Sequence, residues 1–259
     1  MCSRSRSRCY LRRMVRVDAA GEDGVPYSVA LARSHVFGFL VAVTLPRGKE
    51  TVGDSVLARL DAREAEVART LRGFRQVQWV GGRLAAREAG LHLGATSWMV
   101  GTGALGEPLP PPGFSLSIAH KRGLAIALVA DVDGDELGVD LEDDLAAARA
   151  IEAEVFSLEE RAAIATLPEP ERDDARMLGF ALKEAVYKAV SVRLGADLGY
   201  DDARFDVGDG RTPSIALLAG APQAVSDWRR QADLRSHAGN LRRCCLKDNP
   251  RCPLFTRRK

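Results

Sequence analysis

Residues 18–220 of this 259-residue chain contain no cysteine. The five present, Cys2, Cys9, Cys244, Cys245 and Cys252, lie near the two ends, and no Cys-x-x-Cys pair occurs among them. A disulfide framework or a structural zinc site is therefore excluded as the basis of the fold. Long apolar runs are also missing. A membrane helix needs ~20 consecutive apolar residues, whereas the longest stretches here, 37–45 and 124–130, are strand-sized. The Arg-rich start is followed by no apolar segment of the kind a secretory signal carries, so a cytoplasmic protein is expected. No internal repeat and no long low-complexity run appears. Aromatic residues make up only 6%, but 46% apolar and 28% charged residues are ordinary globular values, which excludes disorder of the whole chain.

Acidic residues are absent from 1–17, which hold six arginines; residues 221–259 hold ten Lys or Arg against three Asp. The two ends together carry +13, so the overall +2 leaves −11 on the body between them. Charge-biased ends of this kind are expected to be solvated, disordered tails. The body divides by pattern into a first lobe, 25–113, and a second, 114–220.

In the first lobe, Phe37–Leu45 reads as a strand ended by Pro46-Arg47-Gly48. Asp54 is placed to cap a helix running to about Leu71, and a second helix is expected over Gln76–Leu93, closed by Gly94. The glycines and prolines between Gly101 and Gly113 read as a loop. Three strands are expected in the second lobe, at 114–118, 124–130 and 137–141. Ser157-Leu158-Glu159-Glu160 fits a capping box. Arg172–Val192 carries the best helical stripe in Leu178, Leu182, Ala185, Val186 and Ala189. One more strand is expected at 200–207. The fold class is α+β (α/β), with two pseudo-symmetric lobes, each a small, mainly antiparallel sheet packed with helices.

Two stretches carry chemistry. In Gly138-Val139-Asp140-Leu141-Glu142, strand alternation places Asp140 and Glu142 on one face about 7 Å apart, with Val139 and Leu141 turned to the core. Paired carboxylates repel unless a cation lies between them, and hard oxygen ligands suit Mg²⁺. Read alone, the same residues also fit a strand end entering an acidic turn. In Phe180-Ala181-Leu182-Lys183-Glu184-Ala185-Val186-Tyr187-Lys188, Glu184 and Lys188 share a helix face. Alone they fit a surface ion pair.

Together, a Gly-Val-Asp-x-Glu strand and a Phe-Ala-x-Lys-Glu-Ala-x-x-Lys helix about 40 residues later resemble the paired motifs of the 4′-phosphopantetheinyl transferase superfamily. Gly106-Glu107-Pro108 and Ser115-Leu116-Ser117-Ile118-Ala119-His120 resemble a further family segment. Gly82-Arg83-Leu84-Ala85-Ala86-Arg87-Glu88-Ala89 resembles its N-terminal helix. The likeness covers roughly residues 50–210 and is to the long, monomeric type used with peptide and polyketide synthases and siderophore assembly.

The resemblance implies transfer of the phosphopantetheine arm of coenzyme A to a serine of an apo acyl- or peptidyl-carrier protein, releasing adenosine 3′,5′-bisphosphate. It implies Mg²⁺, with Mn²⁺ as alternative, held by Asp140, Glu142 and Glu184 against the CoA diphosphate. Glu184 would take the serine proton, Lys188 would neutralise the leaving side, and His120 would contact a CoA phosphate. Asp140, Lys183 and Lys188 would line the CoA site, with Lys183 on its flank. Arg75 and Arg83 match positions at the 3′-phosphate end, a role Arg87 would share or leave for solvent. A soluble monomer without membrane or nucleic-acid partners is expected. One departure stands out: relatives carry Ser or Thr before the histidine where this chain has Ala119, so weaker CoA binding is expected, partly offset by Lys121. The alternatives are a weakened member that binds CoA or a carrier without turnover, and an Arg-tailed nucleic-acid-binding protein.

Overall fold

The computed structural model describes residues 25–217, apart from 36, 49, 104–105, 132–136, 170, 195–198 and 208–213, together with 255–257. The five cysteines and the rest of both basic ends lie outside the described residues. The strands are β1 (Val29–His35), β2 (Gly38–Thr44), β3 (Gly101–Thr102), β4 (Pro108–Leu109), β5 (Ser115–Lys121), β6 (Leu124–Ala130), β7 (Leu137–Val139), β8 (Ala203–Asp206), β9 (Ser214–Leu217) and β10 (Phe255–Arg257). The helices are α1 (Asp54–Leu57), α2 (Ala62–Thr70), α3 (Gly73–His92), α4 (Leu145–Ala150), α5 (Glu152–Val155), α6 (Leu158–Ala165) and α7 (Glu171–Leu194), with a 3₁₀ turn at Tyr200–Asp202. This is the expected α+β class.

Four antiparallel strands form the central sheet, in the order β1-β2-β6-β5. Its inner strands are buried on both faces, which is why 37–45 and 124–130 read as unbroken apolar runs rather than as alternation. On one face, Val41, Val43, Ala125 and Ala127 meet Val77, Val80, Leu84 and Ala85 of α3. On the other, Leu40, Ala42, Ile126 and Leu128 meet Leu137, Val139 and Leu141. Each fully buried Leu or Val contributes about 1.5–3 kcal/mol. The helix comes close because Gly81 has no side chain: a Cβ there would lie 2.1 Å from Leu45 Cδ2.

The second half is built on α7. Its stripe Leu182, Val186, Ala189 and Val190 packs with Val155, Phe156, Ile164, Phe205 and Ile215. The short strand β7 lies between the central sheet and α7. Its Val139 amide donates to Ser117 Oγ of β5 at 3.0 Å. Against α7 the approach is closer still, since a Cβ on Gly138 would stand 1.8 Å from the Ala185 carbonyl oxygen and 3.2 Å from Ala189 Cβ.

Several expectations are corrected. β5 and β6, beyond the expected boundary at 113/114, lie in one sheet with β2 of the first lobe. The helix from Asp54 to Leu71 is two helices. Asp61 interrupts it and starts α2 with a capping box, Arg63 N donating to Asp61 Oδ1 at 2.9 Å and Asp61 N to Glu64 Oε2 at 3.2 Å. β1 was not anticipated; as an edge strand it is mostly half-buried and shows little pattern. The loop at 101–113 holds the two-residue ladder β3–β4. Residues 200–202 open the 200–207 stretch as a 3₁₀ turn rather than strand. The C-terminal end is not wholly a solvated tail, because β10 pairs antiparallel with β7. The capping box at Ser157 is present as read.

Gly138→Ala forces β7 off α7. Overpacking of this kind destabilises by about 1–3 kcal/mol, and the substituted protein is expected to unfold at correspondingly lower urea concentration. An unchanged midpoint would show that the approach is not tight.

Candidate active site

β7 ends at Val139, and two residues on, Leu141 is buried in the core. Asp140 and Glu142 project the other way, yet both are buried, at 6% and 9% exposure. They are therefore not part of a solvated turn. Lys188 Nζ donates to Asp140 Oδ1 at 2.6 Å and to the Val139 carbonyl at 3.4 Å. Lys121, at the end of β5, reaches Glu142 Oε2 at 3.0 Å. Asp140 Oδ2 is buried with no hydrogen-bond partner. Glu142 is pushed up to about 7, first by burial and then by the Asp140 charge, against the pull of Lys121.

Glu184 is half-buried one turn before Lys188, and its Oε1 accepts the Tyr200 hydroxyl hydrogen at 2.5 Å. Burial raises the Tyr200 hydroxyl strongly, and its bond to Glu184 and the charges of Glu184, Glu142 and Asp140 raise it further. One cluster thus holds all three acids. His120 belongs to it as well: its ring is at the surface, but the protein packed around it and then the Lys188 charge lower its imidazole, while Asp140 pulls the other way.

The three carboxylates do not close a cage. Among the described residues no three His, Cys, Asp or Glu side chains group tightly enough to hold an ion. Tyr200 engages Glu184, and lysines stand on Asp140 and Glu142. The pair Asp140 and Glu142 nevertheless suits a divalent cation, with one unpartnered buried oxygen and one carboxylate whose ionisation the site disfavours.

Three other expectations change. Lys183 is not on the flank of the site. It is 3% exposed, and its ammonium hydrogens go to Val155 O at 2.8 Å, Glu160 Oε2 at 2.9 Å and Tyr200 O at 3.0 Å. The 100° step from Glu184 turns it into the core instead. Arg83 is 6% exposed, stacked over Trp79 at 4.0 Å, 3.9 Å from Glu64 and donating to Gly101 O at 3.4 Å. Its side chain is largely buried on α3, and its Nε has no hydrogen-bond partner. Ala119 faces the cluster around Leu128 and Val139, on the opposite side of β5 from His120. A serine there would bury a hydroxyl, and the expected CoA-binding defect has no support. Arg87 donates to Trp98 O at 3.2 Å, and Arg75 is exposed near the start of α3. Tyr200 was missed as a site residue; its contact spans 16 residues and leaves no local signal.

Residues 136–242 match the 4′-phosphopantetheinyl transferase superfamily, and residues 62–130 match the 4′-phosphopantetheinyl transferase N-terminal domain. The chain belongs to the 4′-phosphopantetheinyl transferase superfamily, with the N-terminal domain typical of its long members. Proteins of this family transfer phosphopantetheine from coenzyme A to carrier proteins. No curated protein matches the chain. No helix among the described residues is long and apolar enough to cross a membrane.

Two outcomes follow from the buried charges. Removing one partner of a buried ion pair costs about 3–5 kcal/mol, so Lys183→Met, which strands Glu160, is expected to lower the unfolding free energy by that order in urea titration. Glu142 binds its proton more tightly folded than unfolded, so its contribution to stability falls as pH rises from about 4.5 to about 7 and stays lost above. In chelator, Glu142→Gln should melt above the unsubstituted protein at pH 8, with the gap closing towards pH 4.5. A gap independent of pH would contradict the raised carboxyl.

Proposed function

We propose that this protein moves the 4′-phosphopantetheine arm of coenzyme A onto a serine of an apo acyl- or peptidyl-carrier protein, releasing adenosine 3′,5′-bisphosphate. The observation that carries the proposal is that Lys188 pairs with Asp140 just after β7, while the charges of Glu184, Glu142 and Asp140 all act on the Tyr200 hydroxyl. Asp140 and Glu142 would hold Mg²⁺, or Mn²⁺ in its place, with Glu184 at its edge. The ion, when bound, would neutralise the CoA diphosphate. Glu184 Oε2, the oxygen Tyr200 leaves unengaged in the pair, accepts the proton from the carrier serine. The serine oxygen forms a bond to the phosphorus bearing pantetheine, and the bond from that phosphorus to the bridging oxygen breaks. Lys188, one turn on, neutralises charge on the departing bisphosphate. His120 donates to a CoA phosphate, and Arg75, with an exposed guanidinium, meets the 3′-phosphate. Acting as a cytoplasmic monomer for peptide, polyketide or siderophore synthases is part of this reading, supported by the likeness to long family members. Against the reading of a CoA binder without turnover stand the intact Asp140, Glu142, Glu184 and Lys188.

Incubation with CoA, Mg²⁺ and a panel of apo carrier proteins is expected to add one phosphopantetheine arm, read by intact-protein mass spectrometry. Asp140→Ala and Glu184→Gln should lower the rate by at least about 100-fold. No mass gain on any carrier, or full turnover in both variants, would overturn the reading.

A further inference from the structure

Tyr200 is held more firmly than a half-buried tyrosine in a single 3₁₀ turn requires. Its backbone carbonyl accepts from the buried Lys183 ammonium at 3.0 Å. That ammonium is itself fixed by Val155 O and by Glu160, whose carboxylate also takes the amides of Ser157 and Phe205. The ring packs edge-on to Phe180, with centroids 6.0 Å apart. On its N-terminal side the turn is closed by Gly199 N donating to Asp202 Oδ2 at 2.9 Å. Backbone and ring are thus pinned independently, and the hydroxyl is delivered to Glu184 Oε1 at 2.5 Å.

We infer that Tyr200 is a positioning residue for Glu184. It fixes the carboxylate rotamer by engaging Oε1, so that Oε2 faces the incoming serine, and the buried Lys183–Glu160 pair acts through it. This deepens the reading above and rests on Glu184 as proton acceptor. Neighbouring Lys183 and Glu184 then serve one purpose from two sides of α7. Lys183 sets the tyrosine from within the core, and the tyrosine sets Glu184 at the surface. A carboxylate on a helix otherwise samples several rotamers. A misplacement of about 1 Å in a reacting group can cost on the order of 100-fold in rate, so a single donor that selects one rotamer is sufficient to matter.

Tyr200→Phe in the full-length protein keeps the ring and its packing and removes only the donor. With CoA, Mg²⁺ and a carrier protein, kcat is expected to fall about tenfold, while KM for CoA and for the carrier stays within about twofold and Tm shifts by no more than about 2 °C. Added to Glu184→Gln, the substitution should cause no further loss. Wild-type kcat in Tyr200→Phe, with Glu184→Gln inactive, overturns the inference and leaves the proposed function standing. A further loss in the double variant, or a KM that rises in step with a falling kcat and Tm, makes Tyr200 merely structural and also overturns it. Full turnover in Glu184→Gln removes the reading on which the inference rests.

Discussion

The second half of the molecule depends on how closely β7 lies against α7. At Gly138 the strand backbone occupies the place of a side chain, and the Ala185 carbonyl stands where a Cβ would be. Gly138 and Ala185, far apart in the chain, are thereby brought to backbone contact. That contact is what lets Lys188 reach Asp140 at 2.6 Å and puts Glu184 on the same side. On its other side β7 is tied to the central sheet by Ser117 and by Val139 and Leu141 in the core. The strand is clamped between two cores, and its acids inherit that rigidity. Functional groups held on rigid elements keep their geometry to a fraction of an ångström.

Electrostatics gives the site its character. Two carboxylates are buried side by side, against the usual preference of charge for water. Lysines from two different elements, β5 and α7, compensate them incompletely, leaving one Asp140 oxygen unpartnered and Glu142 raised. Such an arrangement costs the fold stability. The buried Lys183–Glu160 pair is the opposite case: every ammonium hydrogen finds an oxygen, and Glu160 draws in two backbone amides. The first cluster leaves charge uncompensated, and the second satisfies it fully.

Much of this was legible from residue order. The apolar runs gave the inner strands, the Ser157 capping box gave the start of α6, and the Leu182–Ala185–Val186–Ala189 stripe gave α7. The pairing of Gly-Val-Asp-x-Glu with Lys-Glu-x-x-x-Lys pointed to the family through its resemblance to that family's two motifs. What failed to show was of two kinds. β1 is an edge strand whose residues are mostly only partly buried, so its pattern is weak. The break before Asp61 left no sign, because the expected helix from Asp54 to about Leu71 contains no Gly or Pro to mark it.

Sequence alone determined the element types, the absence of any sulfur framework and the residue set from which the site is drawn, since these follow from local preference and from motif chemistry. Tertiary structure decided which of those residues meet. It sent Lys183, Arg83 and Ala119 into cores, joined β5 and β6 to the first sheet, and brought Tyr200 to Glu184. Such facts depend on which face of each element is covered, and that is fixed by long-range packing that no local stretch of residues encodes.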